Sequence, residues 1–389
     1  VGVVLKNIRL FDVPWILYLP AVAVLGLLIT SYFKFQNRTS RNAFAALFAL
    51  SFAALFFWHF QKLQPDWQVP APMTSHSVVD VHREKPNLIF ITLDSLRGDF
   101  DLEGMPEISA DLKNYLGKSV RFDRVVSPLA QTHGALTSLF TGETPVQTGV
   151  RTNLSDKGLD SDKALHDSLL AKVKEAGYEI RLVQDTEEYA NFNAGKVIDK
   201  VKAPDFSVAN VIISTFFKNR VIFGLFNNPL GHLLLPELKN NTSFFYSYDL
   251  ANFTSEVLQE IQDVAEKKKP VMLFVHTCAL HWPAVLPYPY YPQDSFPEQT
   301  STPFSYTSKF RGLSYKQLSP KDWSIQAQFN HKIYRSAVKM TVEQFLNPVF
   351  QQLRETGLDK NSVIVLLSDH GEDLWNEDEK FPIEKFVQH

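Results

Sequence analysis

Cysteine is almost missing from this chain: Cys278 is the one thiol among 389 residues. That excludes an intrachain disulfide and a zinc ribbon, each of which needs several thiols. An excess of positive charge is missing as well. The formal net charge is −3, which gives no basis for a nucleic-acid partner. There is no internal repeat and no low-complexity tract, so neither a repeat array nor a long disordered tail is expected. The sequence opens on Val1 rather than Met and stops on His389, just past a candidate motif. It is therefore expected to be part of a longer chain, with its last domain truncated at the C-terminus.

What is present begins with two apolar, uncharged runs. Pro14 to Phe33 and Asn42 to Phe60 each have about the 20 residues that a membrane-crossing helix needs. Trp58 and His59 sit at the far end of the second run, where aromatic side chains suit the membrane interface. Two buried core helices would be the plainer alternative, but two such runs in succession favour a membrane segment over residues 1–61. The connector from Lys34 to Arg41 carries three cations and no acid. The positive-inside rule puts it in the cytoplasm and everything after Phe60 on the other side of the membrane. The expected location is thus an inner or plasma membrane, with the bilayer itself as a partner. Residues 62–85, with Pro65, Pro70 and Pro72 and no helical period, read as an extended linker.

From residue 86 to 389, strand-like and helix-like stretches alternate. Leu88–Leu93, Glu179–Val183, Val271–Val275 and Val363–Leu367 read as strands. Asp162–Ala176, Phe245–Glu266 and His331–Thr356 read as helices, the last with Tyr334, Ala337, Val338, Phe345, Val349 and Leu353 on one stripe. That rhythm predicts an α/β domain with a mainly parallel sheet covered by helices on both faces. Residues 207–245 and 283–325 break it. Their aromatic, apolar composition fits either a lid that meets lipid or a loop packed on its own domain.

Two of the predicted strands end on acids. Leu88–Leu93 delivers Asp94, and Ser362–Leu367 leads into Ser368-Asp369-His370-Gly371-Glu372. Ligands collect beyond the carboxyl ends of parallel strands, and Asp with neutral His suits a borderline divalent cation such as zinc or manganese. A lone strand-end Asp is more often a cap, but two of them ending strands of one sheet can converge. Between them lies Gln131-Thr132-His133-Gly134, followed by helix-like Ala135–Phe140. A hydroxyl there would face the positive end of a helix, a fit for phosphate or sulfate. Alone, Thr132 would read as an ordinary N-cap.

The order L-D-S-L-R, then Thr132 with Thr141-Gly142, Pro145 and Gly149-Val150, then S-D-H-G-E resembles the sulfatase branch of the alkaline phosphatase superfamily. The resemblance runs from about Pro86 to the end. In that branch the nucleophile stands ten residues before the Gly of the T-G pair, which is Thr132 counted from Gly142. It implies metal ligands at Asp94, Asp369 and His370, with the Thr132 oxygen completing the set. The implied cofactor is a divalent metal (Zn, Mn, Ca or Mg), one ion or two. True sulfatases carry a C/S-x-P-x-R string that becomes formylglycine, and Thr132-His-Gly-Ala-Leu136 lacks it. A Thr nucleophile looks instead like the membrane-anchored phosphoethanolamine transferases and lipoteichoic-acid synthases, although these use Glu where this chain has Asp94. Their H-T-x-x-x-H-x-P segment matches His276 to Pro283, which implies a substrate or second-metal role for His281. His276, at a strand end, is read as a structural partner, with a role behind the ligands left open. His389 matches a further histidine of that family and is expected as another metal ligand. His59, His82, His133, His166, His232 and His331 are taken as surface or packing residues. The implied activity is cleavage or transfer of a phosphate-type ester, or a sulfate ester, on a phospholipid or glycan of the envelope. The rivals are a hydrolase of soluble sulfate or phosphate esters and a non-catalytic, lipid-sensing envelope protein of the same fold.

Overall fold

The structure is a computed structural model. It describes residues 85–152, most of 165–203, a few residues between 228 and 248, and 250–281, 286–290 and 320–374. The two apolar runs, the linker up to residue 84, His389, nearly all of 207–245 and most of 283–325 lie outside the described residues. Among the described residues no helix is long and apolar enough to cross a membrane.

The strands are β1 (Asn87–Leu93), β2 (Glu179–Gln184), β3 (Lys200–Lys202), β4 (Asn241–Thr242), β5 (Ser247–Tyr248), β6 (Val271–Thr277) and β7 (Ser362–Leu367). Five of them form one sheet in the order β3-β2-β6-β1-β7, and every pair in it is parallel. The helices are α1 (Ala110–Lys118), α2 (Thr132–Thr141), α3 (Pro145–Thr148), α4 (Leu169–Glu175), α5 (Leu250–Glu266), α6 (Pro320–Thr341) and α7 (Asn347–Glu355). The helix expected from Phe245 starts at Leu250, because Ser247–Tyr248 pair with Asn241–Thr242 as a small antiparallel ribbon. The helix expected from His331 starts earlier, at Pro320, and runs through one wider turn at Val342–Leu346 into α7.

Side chains of β1 alternate between two cores, as the period of a strand requires. Ile89, Ile91 and Leu93 face a large cluster with Val257 and Ile261 of α5 and Val338, Val349 and Leu353 of the α6–α7 stripe. Leu88 and Phe90 face the other cluster, with Ile180 and Leu182 of β2, Met272 and Phe274 of β6, and Leu136 and Phe140 of α2. The Phe140 ring meets Phe274 edge-on at 4.8 Å between centroids, which seats α2 on the sheet. Gly134 permits that seat, since a Cβ there would stand 2.5 Å from Leu129 Cδ2 and 3.2 Å from the Val150 carbonyl oxygen. Gly142 ends the helix at φ 74°, a conformation that favours glycine.

Register then determines what meets at the carboxyl edge. Thr92 pairs with His276 on one side and Leu367 on the other, and Gln184 pairs with His276. Asp94, His276, Asp185 and Asp369 therefore emerge at one end of four neighbouring strands.

Candidate active site

Asp94 ends β1 fully buried, and its backbone N–H donates to the Thr277 carbonyl oxygen at 2.9 Å. The turn that follows holds Ser95 at φ 63°, a strained setting for a non-glycine residue. Three contacts hold it there. Ser95 Oγ donates to Asp94 Oδ1 (2.8 Å), Ser95 N donates to Asp369 Oδ1 (3.2 Å), and Tyr334 Oη donates to the Ser95 carbonyl oxygen (2.9 Å). Tyr334 Oη also accepts from Arg97 N at 2.8 Å, so α6 clamps the turn from both sides.

Thr132 is the first residue of α2 and is fully buried. The N-cap position falls on Gln131, so the Thr132 hydroxyl is not the capping group. It donates instead to Asp94 Oδ2 at 3.0 Å and lies 3.5 Å from His370 Nε2. Beyond β7, the Ser368 hydroxyl ties the strand end to β1 by accepting from Leu96 N at 2.9 Å. Asp369 Oδ1 accepts from His370 N at 2.8 Å, whereas Asp369 Oδ2 is buried with no hydrogen-bond partner. His370 Nδ1 lies 2.8 Å from the Gly371 carbonyl oxygen. That contact assigns the ring proton to Nδ1 and turns the Nε2 lone pair inward. His370 Nε2 then stands 3.7 Å from Asp94 Oδ1 and 3.5 Å from Asp369 Oδ2.

Charge in this pocket is tightly balanced. Burial pushes the Asp94 carboxyl up, but the charge of His281, the contact with His276 and the charge of His370 outweigh it and hold it well below the usual carboxylate range. Burial and the neighbouring Asp94 charge raise Asp369 instead, as expected when two carboxylates share one site. Burial lowers His370, and Asp369 and Asp94 more than restore it, so its net shift is upward.

A divalent cation fits these residues. One donor atom from each of Asp94, Asp369 and His370 lies within 4.8 Å of the others. The unpartnered Asp369 Oδ2 and the inward Nε2 lone pair are donors in need of an acceptor. The set is carboxylate oxygen plus imidazole nitrogen, which suits zinc or manganese.

The structure thus brings together Asp94, Thr132, Asp369 and His370, from three remote segments. His281 follows β6, its N–H donating to the Cys278 carbonyl oxygen at 3.0 Å, and its charge acts on Asp94 and Glu372. His389 lies outside the described residues. Sequence reasoning gave no role to Ser95, Tyr334, Asp185 or Cys278, and took His276 as structural support. His276 Nε2 stands 3.7 Å from Asp94 Oδ2. Its position at the end of the strand next to β1 was the available signal, once the register is known.

A parallel sheet with two carboxylates, an imidazole and a helix-borne hydroxyl at one edge is what the resemblance to the alkaline phosphatase superfamily implies. Within it, the family model described as Sulfatase matches residues 86–389, and the chain belongs to the sulfatase family. No curated protein matches. Among solved structures, the phosphonate monoester hydrolase of Agrobacterium radiobacter is similar at 18% identity and TM-score 0.47, over 75% of this chain and 63% of that one. The lipoteichoic acid synthase LtaP from Listeria monocytogenes is similar at 14% identity and TM-score 0.42, over 77% of this chain and 59% of that one. The C-terminal periplasmic domain of EcEptC from Escherichia coli, in complex with Zn, is similar at 16% identity and TM-score 0.38, over 78% and 69%. The chain spans less than two thirds of the length of the first two.

Proposed function

We propose that this chain is a metal-dependent enzyme that uses Thr132 as a nucleophile to cleave or transfer a phosphate-type ester on an envelope lipid or glycan. The observation that carries the reading is the 3.0 Å hydrogen bond from Thr132 Oγ1 to Asp94 Oδ2 beside Asp369 and His370. A divalent cation held by Asp94, Thr132, Asp369 and His370 would lower the hydroxyl pKa and draw charge from the ester oxygens. Thr132 Oγ1 then bonds to phosphorus in line as the bond to the leaving oxygen breaks. Its proton would be lost to solvent as the cation binds, since Asp94 Oδ2 is held too acidic to keep it. His281 donates a proton to the leaving oxygen. Water, or a glycan or lipid hydroxyl, next breaks the bond between Thr132 and phosphorus and restores the hydroxyl. With Thr at position 132 and no Pro or Arg in the string after it, formylglycine chemistry has no precursor here.

Residues 1–61 would anchor the enzyme in the membrane by two helices, residues 62–85 would tether it, and 86–389 would form the extracytoplasmic domain. His389 would add a further metal ligand. Thr132→Ala should lower turnover of a phosphodiester substrate by about 10⁴-fold or more, while bound metal stays near the wild-type level. Mass spectrometry of the Thr132 peptide during turnover should find a phosphate adduct. Undiminished turnover in the variant would sink the assignment.

A further inference from the structure

Behind Asp94 lies a second group of ligand atoms, of which the proposed mechanism uses only Asp94. Asp94, His276 and Cys278 are all buried, and one donor atom from each lies within 4.8 Å of the others. His276 Nε2 stands 3.7 Å from Asp94 Oδ2 and 3.6 Å from Cys278 Sγ. Ligand atoms at zinc bond lengths of about 2.0–2.3 Å stand about 3.3–3.6 Å apart around a tetrahedral ion. The observed edges are close to that.

The other ring nitrogen says what Nε2 must be. His276 Nδ1, Thr92 Oγ1 and Gln184 Oε1 are buried without hydrogen-bond partners. They belong to paired positions on β6, β1 and β2, so they share one face of the sheet. Gln184 Nε2 donates to the Ala190 carbonyl oxygen at 3.0 Å, which leaves Oε1, a pure acceptor, as the free end. An acceptor at that level calls for a donor, and a proton on His276 Nδ1 would supply it across one water. His276 Nε2 then meets a carboxylate oxygen and a thiol sulfur. The thiol proton satisfies the group without metal, and a cation that replaces that proton would bind all three atoms.

We infer that Asp94 Oδ2, His276 Nε2 and Cys278 Sγ form a second metal site for a thiophilic divalent cation such as zinc, with the Asp94 carboxylate shared between the two centres. Asp94 Oδ1 lies 3.7 Å from His370 Nε2, whereas Oδ2 lies 3.7 Å from His276 Nε2 and also accepts from Thr132 Oγ1 at 3.0 Å. Binding releases the thiol proton to solvent. Without a cation, burial and the charges of Asp185 and Asp94 keep that proton on sulfur. The inference rests on the proposed metal centre only through the shared carboxylate.

The test uses the whole chain, loaded with Zn²⁺ for metal counting or Co²⁺ for spectroscopy. Two ions per chain are expected, with a near-ultraviolet sulfur-to-cobalt charge-transfer band. Cys278 is the one cysteine in the sequence, so such a band has a single source, and the wild-type spectrum decides the matter even if a variant fails to fold. Cys278→Ser should lose the band and one ion of the two, whereas Asp369→Asn should lose an ion and keep the band. One ion per chain with no band would overturn this site, leave the proposed function standing, and identify His276 as an imidazolium counter-ion of Asp94. No bound ion at all would overturn both.

Discussion

At the scale of single residues, the site depends on groups held where they would not rest alone. Ser95 keeps a left-handed turn because Tyr334 Oη bonds both the Ser95 carbonyl oxygen and the Arg97 N–H. Tyr334→Phe leaves two backbone groups without that partner and should cost about 2 kcal/mol in urea unfolding. His133, beside Thr132, packs its ring 4.9 Å from Phe192. Burial lowers its pKa from 6.5 to about 4. Between those values the unfolded chain binds a proton that the folded chain refuses. Stability is therefore full above about pH 6.5 and falls as the pH drops toward 4, by up to about 3 kcal/mol. His133→Gln should flatten that part of the curve, and the difference between the two profiles isolates the ring. The sequence could classify His133 as a packing residue, since it neighbours a helix start, but its burial against Phe192 is a property of the fold.

Among elements, α2 matters most because it carries Thr132. Leu136 and Phe140, one and two turns along, fasten it to Phe274 and its neighbours on the sheet. Leu136 is fully buried, so Leu136→Ala should cost about 2–5 kcal/mol in chemical unfolding. Leu169→Ala on α4, at a half-exposed position, should change stability by no more than about 0.5 kcal/mol. The helix was legible from the run Ala135–Phe140, and its first residue from the polar segment before it. The start of α5 was not legible. Phe245 to Tyr248 are as apolar and aromatic as a helix face, yet Ser247–Tyr248 pair with Asn241–Thr242. Local pattern cannot foresee a distant ladder partner.

On the scale of the whole molecule, the proposed metal centre joins the ends of β1 and β7 to the start of α2, positions separated by up to 276 residues in sequence. A cation bound only by the folded arrangement stabilises it by mass action, by about 2.7 kcal/mol at a hundredfold excess over its dissociation constant. Stripping metal with a chelator should therefore lower Tm by about 5 °C or more, and readdition of zinc should restore it. Asp369→Asn should show a much smaller chelator response.

By itself the sequence determined the strands that end on Asp94 and Asp369, the hydroxyl placed at a helix start, and the alternation that makes the sheet parallel. All of these are written in local periodicity and residue chemistry. Only the tertiary structure decided that β6 lies between β2 and β1, and so that His276 and Cys278 stand behind Asp94 rather than elsewhere on the edge. Strand order follows from how two cores are buried on opposite faces of one sheet. That packing is shared among residues hundreds of positions apart, and no window of sequence contains it.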